Sequence, residues 1–404
     1  MNKLPNGWQI KTLGDIFLIE RGSSPRPIKS FLTNDNNGIN WIKIGDAKNN
    51  SKYIYQSAEK IRPEGKKYSR FVEIGDLILS NSMSFGRPYI MKTIGCIHDG
   101  WVVLRKILKN IIYEEYAYYI LSSNQVHSEF SKLAAGSVVK NLSIDRIKQV
   151  YIPIPPLDEQ KRIASALSKI DAYLENTIKL IEEKERFKRG IAKKLLTCKE
   201  GENIPEARFK GFEDEWEIVK LGDMFDNFKE KNNEDKIILS STIDKGVIPN
   251  SLTERKIIRK KESLSNYKLV KKGCFVISLM SFQSGFEYSD YEGIIRPAYT
   301  VLKPKIEMAH YFYKYYFKSF KFIKDLLPYA EGIRHGKQIK FKACKDILVP
   351  YPSIEEQEKI GGYLSLLDAE IDNLKKQKEL IKEMKRGAME KLLSGEVRLV
   401  DNYD

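Results

Sequence analysis

The stretch "GWQIKTLGDIF" covers residues 7–17, and a near copy of it, "EWEIVKLGDMF", covers residues 215–225. Both copies follow the pattern W-x-I-x-x-LGD. Trp8 and Trp216 lie 216 − 8 = 208 residues apart in a chain of 404 residues. This spacing predicts that the chain consists of two related halves.

The similarity continues along both halves in three further pairs of segments. The pairs are "FVEIGDLILS" (71–80) with "LVKKGCFVIS" (269–278), "GCIHDGWVVL" (95–104) with "GIIRPAYTVL" (293–302), and "IPIPPLDEQKRI" (152–163) with "VPYPSIEEQEKI" (349–360). The offset is 198 residues for the first two pairs and 197 for the third. Solenoid repeats are far shorter than this unit, so we interpret the pattern as a duplicated domain.

Composition limits the class of protein. A chain of 404 residues with 42% hydrophobic residues is long for a single core, so we expect two or more domains. Its 69 Lys and Arg against 54 Asp and Glu give a formal charge of +15, which favours an anionic partner, nucleic acid above all. The start "MNKLPNGWQI" has no signal-peptide core, and no run of about 18 apolar residues occurs. We therefore expect a soluble cytoplasmic protein without a membrane partner.

The sequence contains no convincing catalytic or metal-binding motif. "GIRHGK" (332–337) has too few residues between its glycines for a phosphate-binding loop, and Gln338 stands where that loop needs Ser or Thr. The Glu-x-Lys at 182–184 lies on a predicted helix and is interpreted as a solvated charged face. The histidines lack ligand spacing, and the cysteines form no C-x-x-C pair, which predicts reduced buried thiols at Cys96, Cys198, Cys274 and Cys344. We expect no catalysis, cofactor or metal in this chain.

The predicted secondary structure changes from strands to helix along each half. Short apolar runs such as "DLILS", "WVVLRKI" and "FVISL" alternate with Gly, Pro, Asn and Ser, which predicts strands joined by loops. "EEYAYYILSS" and "HYFYKYYFKSFKFIKDLL" have helical spacing and are expected to flank the sheet. The predicted fold class is α+β, with α/β domains at 1–155 and 203–352, a long helix at 156–202, and a second long helix with a tail at 353–404.

The two long helices carry a heptad pattern of apolar residues interrupted by lysines. In the first helix the seam includes Ile163, Leu167, Ile170, Leu174, Thr177, Ile181, Lys184, Lys188, Ile191 and Leu195. In the second helix it includes Ile360, Leu364, Leu367, Ile371, Leu374, Lys378, Ile381, Lys385, Ala388 and Leu392. We expect the helices to pair with each other, and the heptads allow either a parallel or an antiparallel arrangement.

Local signals mark the helix ends. Ser353 and Glu356 form a predicted capping box, and Gly395 suits the left-handed conformation that closes a helix, with Gly201 as its expected counterpart. Each helix also contains an internal glycine that costs about 1 kcal/mol relative to alanine. These glycines, Gly190 and Gly387, indicate either the close approach of another backbone or a weak point inherited by duplication.

Together these motifs resemble the specificity subunits of type I restriction-modification systems. The resemblance covers nearly the whole chain and rests on W-x-I-x-x-LGD, on "IPIPPLDEQKRI", and on the helix ends "KRGIAKKLLT" and "KRGAMEKLLSGE". The second copy departs from the pattern at Ser353, which replaces a proline, and at Cys274, which replaces the aspartate kept at Asp76.

The resemblance implies an architecture and a set of partners. Each half would be a target-recognition domain followed by a conserved helix, and the two helices would form an antiparallel coiled coil that spaces the domains. The partners would be double-stranded DNA, two methyltransferase subunits and, where a nuclease joins, two restriction/translocase subunits. S-adenosylmethionine, ATP and Mg²⁺ would then bind to those partner subunits.

Two recognition domains at a fixed separation suit a DNA target with two half-sites. This would explain why the chain carries a duplicated domain. We weigh this reading against a free-standing DNA-binding regulator with two unlike recognition domains and against a magnesium-dependent nuclease. A regulator more often uses a compact recognition helix in a dimer, and the long helices favour the specificity subunit.

Loop residues with donors for base edges and phosphates are the predicted DNA contacts. In the first half they are Arg21, Ser23, Ser24, Arg26, Lys29, Asn81, Ser84, Arg87, His98 and Lys140. In the second half they are Ser281, Gln283, Ser284, Arg296, Arg334, His335 and Lys337.

Overall fold

The computed structural model describes residues 4–48, 51–81, 86–108, 110–134, 143–253, 264–277, 285–331 and 338–400. The chain divides into two compact units. The first unit joins Met1–Thr177 to Gln377–Asp404, and the second unit is Ile178–Lys376. Each unit therefore combines one half of the duplication with a part of both long helices.

The first unit contains twelve described strands and the shorter helices that flank them. The strands are β1 (Gln9–Thr12), β2 (Phe17–Arg21), β3 (Leu32–Thr33), β4 (Ile39–Ile42), β5 (Tyr53–Ile54), β6 (Glu59–Ile61), β7 (Arg70–Val72), β8 (Leu77–Ser80), β9 (Pro88–Met91), β10 (Gly95–Ile97), β11 (Trp101–Lys106) and β12 (Tyr151–Ile154). The helices are α1 (Leu13–Ile16), α2 (Glu114–Leu121), α3 (Asn124–Ala134) and α4 (Ile144–Lys148), followed by the start of the long helix α5 (Leu157–Leu196).

Three sheets organise this unit. Two have five strands, in the orders β2-β11-β8-β9-β5 and β3-β6-β4-β10-β7. The third pairs β1 with β12 antiparallel, with Gln9 opposite Ile154. The opening motif of the chain therefore pairs directly with the segment that precedes α5, although the two are far apart in sequence.

The second unit begins and ends with corresponding elements, a strand and a short helix first and a strand before a long helix last, and differs between them. Its described strands are β13 (Glu217–Lys220), β14 (Phe225–Phe228), β15 (Leu239–Thr242), β16 (Gly246–Pro249), β17 (Lys268–Val270), β18 (Phe275–Ile277), β19 (Phe286–Tyr288), β20 (Gly293–Ile295), β21 (Thr300–Pro304), β22 (Ala330–Glu331), β23 (Gln338–Ile339) and β24 (Leu348–Tyr351). Its helices are α6 (Leu221–Met224), α7 (His310–Tyr316), α8 (Phe320–Leu326) and α9 (Phe341–Cys344), followed by the long helix α10 (Ile354–Ser394).

The sheets of the second unit repeat the plan of the first. The order β14-β21-β18-β19 corresponds to β2-β11-β8-β9, and β13 pairs with β24 as β1 pairs with β12. The second unit has three further two-stranded sheets: β15-β16, β17-β20 and β22-β23. The expected duplicated α+β fold is thus present, and the long aromatic stretch after residue 309 forms two helices, α7 and α8.

Both long helices contribute to the core of each unit. In the first unit the core includes Ile163 and Leu167 from α5 together with Leu392 and Leu393 from α10. In the second unit it includes Leu195 and Leu196 from α5 together with residues from α10 such as Ile360 and Leu364. Burying one such side chain stabilises the fold by about 1.5–3 kcal/mol, so these heptad residues tie the helices to the domains.

The long helices contain 40 and 41 residues, which corresponds to about 60 Å each. At the start of α10 the Ser353 hydroxyl accepts from the Glu356 amide over 3.3 Å, which is one half of the predicted capping box. Gly395 follows α10 directly with φ +79°, as expected. Gly201 does not close α5, because that helix already ends at Leu196 and residues 199–202 form a turn.

The internal glycines of the helices are not sites of close approach to any part of the chain that the structure describes. A Cβ placed on Gly190 or on Gly387 would have no heavy atom within 4 Å among the described residues. Gly361 shows the opposite behaviour, because a Cβ there would lie 2.6 Å from the backbone nitrogen of Phe312. Close helix packing against α7 therefore occurs at Gly361, which the repeat pattern did not single out.

Candidate nucleic-acid interface

Trp8, Glu159 and the half-buried Arg398 form a hydrogen-bonded cluster in the first unit. The Trp8 indole donates from Nε1 to Oε2 of Glu159 over 2.9 Å. The Arg398 guanidinium donates from Nε to Oε1 over 2.7 Å and from Nη2 to Oε2 over 2.8 Å. Burial of Glu159 opposes ionisation, but the hydrogen bonds from Arg398 and Trp8 hold the pKa of its carboxyl below the ordinary value. The start of α5 is thereby fixed to the opening motif.

The second unit contains the equivalent cluster, formed by Trp216, Glu356 and Arg208. Trp216 Nε1 donates to Oε2 of Glu356 over 2.9 Å. Arg208 donates from Nε to Oε1 over 2.8 Å and from Nη2 to Oε2 over 2.7 Å. Sequence reasoning identified the tryptophans and the Glu-Gln motif separately and missed that they bind each other.

The glutamine that follows each of these glutamates joins the helix start to a neighbouring loop. Gln160 accepts from the Tyr113 amide over 2.8 Å and donates to the Pro155 carbonyl over 2.9 Å. Gln357 accepts from the Ala309 amide over 2.9 Å and donates to the Pro352 carbonyl over 2.8 Å. The repeated Glu-Gln pair is therefore a structural joint between helix and domain.

The loop at 21–29 follows β2 and presents cations to solvent. Arg21, Arg26 and Lys29 are exposed, and Arg26 has a distant ion pair with Asp99 at 3.9 Å. The two serines brace the loop: Ser23 donates to the Tyr68 carbonyl over 3.0 Å, and Ser24 donates to the Asp99 carboxylate over 3.1 Å. This loop thus combines a braced backbone with cationic side chains that a polyanion could reach.

Residues at the ends of β8 and β10 are less accessible. Asn81 is buried with 2% of its surface exposed, and the half-buried Arg87 lies over the Tyr89 ring at 5.4 Å from the centroid. His98 is also half-buried: its Nδ1 accepts from the Gly100 amide over 2.7 Å, and its Nε2 lies 3.2 Å from the Ile44 amide nitrogen. Burial lowers the pKa of His98 below the ordinary histidine value.

Of the remaining residues predicted to contact DNA, one is exposed and the others lie outside the described ranges. Arg296 is exposed after β20, at the position equivalent to His98. The group that lies outside the described residues is Ser84, Lys140, Ser281, Gln283, Ser284, Arg334, His335 and Lys337.

A basic segment beside the 21–29 loop was missed by sequence reasoning. Lys66, Lys67 and Arg70 line an open cavity of about 760 Å³ next to β7. Arg70 Nε donates to the Arg21 carbonyl over 3.4 Å, and the Ser69 hydroxyl donates to the Ser23 carbonyl over 2.8 Å, so this segment is joined to the loop. The signal that could have found it is the run of three cations in "GKKYSR" (65–70).

Metal ligands, thiols and apolar helices complete the inventory of possible sites in the described ranges. No group of three or more His, Cys, Asp or Glu side chains is arranged to hold a metal ion there. The four cysteines are free thiols, three of them buried and Cys198 partly buried. No helix in the described part of the chain combines the length and the apolar character needed to cross a membrane.

Comparison with known proteins gives consistent matches. The family model for the type I restriction modification DNA specificity domain matches two segments, residues 5–183 and residues 213–383. The putative type I restriction enzyme MjaX specificity subunit of Methanocaldococcus jannaschii is 26% identical over 429 aligned residues, which cover 99% of this chain and 96% of the relative. The MjaVIII specificity subunit of the same organism is 25% identical and covers 98% of this chain and 94% of the relative.

Solved structures show the same fold at lower identity. The type I restriction-modification S subunit of Mycoplasma genitalium has a TM-score of 0.56 at 18% identity, covering 97% of this chain and 98% of that one. The HsdS subunit of Thermoanaerobacter tengcongensis has a TM-score of 0.53 at 17% identity, covering 98% of each chain. Since the family model matches a segment in each half and far more than half of the residues, this chain belongs to the type I restriction modification DNA specificity domain family.

Proposed function

We propose that this chain is the specificity subunit of a type I restriction-modification complex and reads a bipartite DNA sequence, one half-site with each half of the chain. The observation that carries the proposal is the family match to two separate segments, one in each half. The recognition domains are assigned to 1–155 and 203–352, and the spacer segments to 156–202 and 353–404. Because the recognition loops of the two halves differ, the two half-sites would differ as well.

The proposed DNA surface of the first domain is centred on exposed cations of two adjoining segments. Arg21, Arg26 and Lys29 come from the 21–29 loop, and Lys66 and Lys67 come from the segment beside it. Arginine can read guanine through two hydrogen bonds, whereas lysine suits phosphates. Buried Asn81 and half-buried His98 are assigned to shaping these loops, and exposed Arg296 to the second domain's surface.

We further propose that the two long helices pair antiparallel as a coiled coil along their length. The ion pairs inside the second unit support this direction. Lys184 binds Glu370 over 2.6 Å, and Lys188 binds Asp368. The partner with the higher residue number on α5 binds the partner with the lower residue number on α10. In a parallel pair of helices the residue numbers of the partners would rise together.

The methyltransferase subunits are proposed to dock on the outward faces of these helices. Large apolar side chains are exposed there in each unit. They are Tyr173, Leu380 and Met384 in the first unit, and Leu180, Phe187 and Leu366 in the second. Two methyltransferase subunits, one for each unit, would cover them, and restriction/translocase subunits would join the complex through further contacts.

Chemistry would then belong to the partner subunits. Reading DNA requires donors, acceptors and positive charge, so the proposal assigns no catalytic group, cofactor or metal to this chain. S-adenosylmethionine would bind to the methyltransferase, and ATP and Mg²⁺ to the restriction subunit. Since the substrate is cellular or incoming DNA, the proposed place of action is the cytoplasm.

Sequencing of methylated positions tests the proposal. Cells that lack other methyltransferases would express this chain with the methyltransferase subunit of the same system. The expected result is methylation at two adenines within a split recognition sequence of fixed spacing. Methylation without this chain, or DNA cleavage by the purified chain with Mg²⁺ alone, would contradict the assigned role.

A further inference from the structure

One carboxylate in the first unit joins its own helix to two other structural elements. Asp171 lies on α5, and its Oδ2 accepts from the Tyr119 hydroxyl of α2 over 2.6 Å. Its Oδ1 pairs with Nζ of Lys385 on α10, also over 2.6 Å. The carboxylate therefore joins the domain and both long helices.

The second unit repeats this arrangement with the same three residue types at equivalent positions. Asp368 lies on α10, and its Oδ2 accepts from the Tyr315 hydroxyl of α7 over 2.6 Å. Its Oδ1 binds Nζ of Lys188 on α5. Asp171 and Asp368 lie 197 residues apart, and so do Lys188 and Lys385, which is the offset of the duplicated helix starts.

The surroundings of the two carboxylates also correspond. The Ser168 hydroxyl lies 3.1 Å from the Tyr119 hydroxyl, and Ser365, 197 residues later, lies near Tyr315 and opposes the rise in its pKa. The lysines lie against the same rings, with Lys385 Nζ 5.9 Å from the centroid of Tyr119 and Lys188 Nζ 5.0 Å from that of Tyr315. Burial, with the hydrogen bond to aspartate, raises the pKa of both tyrosines, so they remain donors at physiological pH.

These sets differ from the other ion pairs between the helices. The pair Lys184–Glu370 joins a half-buried lysine to an exposed glutamate, and within the described part of the chain no domain residue binds either side chain. Pairs of that kind contribute little, because water screens them. At Asp171 26% of the side chain is exposed and at Asp368 39%, but each of these carboxylates also accepts a tyrosine hydroxyl from its domain, and a charge-assisted hydrogen bond is stronger and more directional. The domain cannot turn about its helix without losing the tyrosine bond.

We propose that Asp171 and Asp368 are positioning residues that set the orientation of each recognition domain on the helix pair and thereby the half-site spacing that the protein accepts. The inference rests on the proposed function, since it concerns how a bipartite target is measured. Neither aspartate needs to touch DNA. Each acts through its tyrosine, and the lysine of the other helix ties domain orientation to helix register.

The test uses the full chain in complex with its methyltransferase subunit. One variant carries Tyr119→Phe and Tyr315→Phe, which removes only two hydroxyl groups, and a second carries Asp171→Asn and Asp368→Asn. A control with Glu182→Gln and Asp372→Asn removes two negative charges from exposed positions on the same helices. Affinity is measured on duplexes that keep both half-sites and have the native spacer or spacers longer or shorter by one or two base pairs.

The expected result is a loss of spacer discrimination. Losing one charge-assisted hydrogen bond per domain should reduce the affinity ratio between the native spacer and its one-pair neighbours by about tenfold. Base preference within each half-site should remain unchanged, and the control should keep the ratio of the unmodified chain.

Two results would overturn the inference while leaving the proposed function intact: an unchanged ratio in the tyrosine variant, or an equal loss of affinity for every spacer. If the aspartate variant unfolds, the tyrosine variant decides the question, after thermal unfolding has shown that it is folded. If the unmodified complex does not prefer a split target at all, the proposed function fails and the inference fails with it.

Discussion

The indole of Trp8 donates a hydrogen bond to the carboxylate of Glu159 across 151 residues of chain. Trp216 and Glu356 repeat this bond in the second unit. The arginine that completes each cluster comes from the segment after the other long helix: Arg398 follows α10 and Arg208 follows α5. The chain segments after the helices are therefore part of the cores, and this leads to the first prediction.

Replacing Arg398 with alanine should destabilise the first unit. Glu159 is 1% exposed and would keep its charge without its cationic partner. Removing one partner of a buried ion pair typically costs about 3–5 kcal/mol. We expect a loss toward the lower end of that range in the free energy of unfolding, measured by urea denaturation. Arg208→Ala should have the same effect on the second unit.

A control separates the charge from the packing of the arginine. Adding Glu159→Gln to Arg398→Ala removes the unpaired charge, so the double variant should be more stable than Arg398→Ala alone. Equal stability of these two variants would show that the buried charge is not the source of the loss.

His98 should make the first unit sensitive to mild acid. Its folded-state pKa is lowered by burial, and its Nδ1 lone pair is occupied by the Gly100 amide. The unfolded chain binds a proton as the pH falls through about 6.5, whereas the folded chain resists, so stability is lost below that pH. His98→Gln should flatten the dependence of the unfolding midpoint between pH 7 and pH 5. An equally steep dependence in the variant would rule out His98 as its cause.

The Lys66 and Lys67 side chains should contribute to the salt dependence of DNA binding. Each phosphate contact changes the slope of log affinity against log salt by about one, so Lys66→Gln with Lys67→Gln should reduce the slope by up to about two. The loss should be similar for all sequences, because phosphates carry no base identity. Lys193→Gln with Lys194→Gln, on the exposed face of α5, serves as the control. A changed base preference would indicate base contacts instead.

Cysteine pairs can establish the direction of the helices. Leu167 is buried in the first core, and Ala388 packs against that core. In a variant without the native cysteines, Leu167→Cys with Ala388→Cys should oxidise to an internal disulfide, whereas Leu167→Cys with Leu364→Cys should not. Gel mobility after mild oxidation distinguishes the two. A disulfide in the second variant would favour parallel pairing.

Lengthening both long helices by one heptad should change the accepted spacer. Seven residues add about 10 Å to a helix, which corresponds to about three base pairs. The added pairs also rotate one half-site by roughly 100° around the duplex, so binding could be lost entirely. Titration against duplexes of graded spacing measures the outcome. Undiminished affinity for the original spacer would show that the helices do not set the distance.

The amino-acid sequence by itself determined the duplication, the strand-rich character of the domains and the heptad seam of the helices. Repeated motifs such as W-x-I-x-x-LGD and the heptads are properties of neighbouring residues, so they can be recognised without knowledge of the fold. Ile163, Leu167, Ile360 and Leu364 were expected to face a partner, and all four are fully buried. Local signals succeeded at Gly395 and failed at Gly201, because the end of α5 depends on packing as well as on glycine.

Only the tertiary structure decided which polar residues bind each other and which face solvent. Glu159 looks in sequence like any acidic residue in the first turn of a helix, yet it accepts from residues 151 and 239 positions away. Asn81 looks like a base-reading residue and is buried. Burial and pairing depend on long-range contacts, and a side chain's identity alone does not say whether water or another segment will satisfy it. The bonds of Asp171 to Tyr119 and Lys385 exist because folding brings three distant segments to one carboxylate.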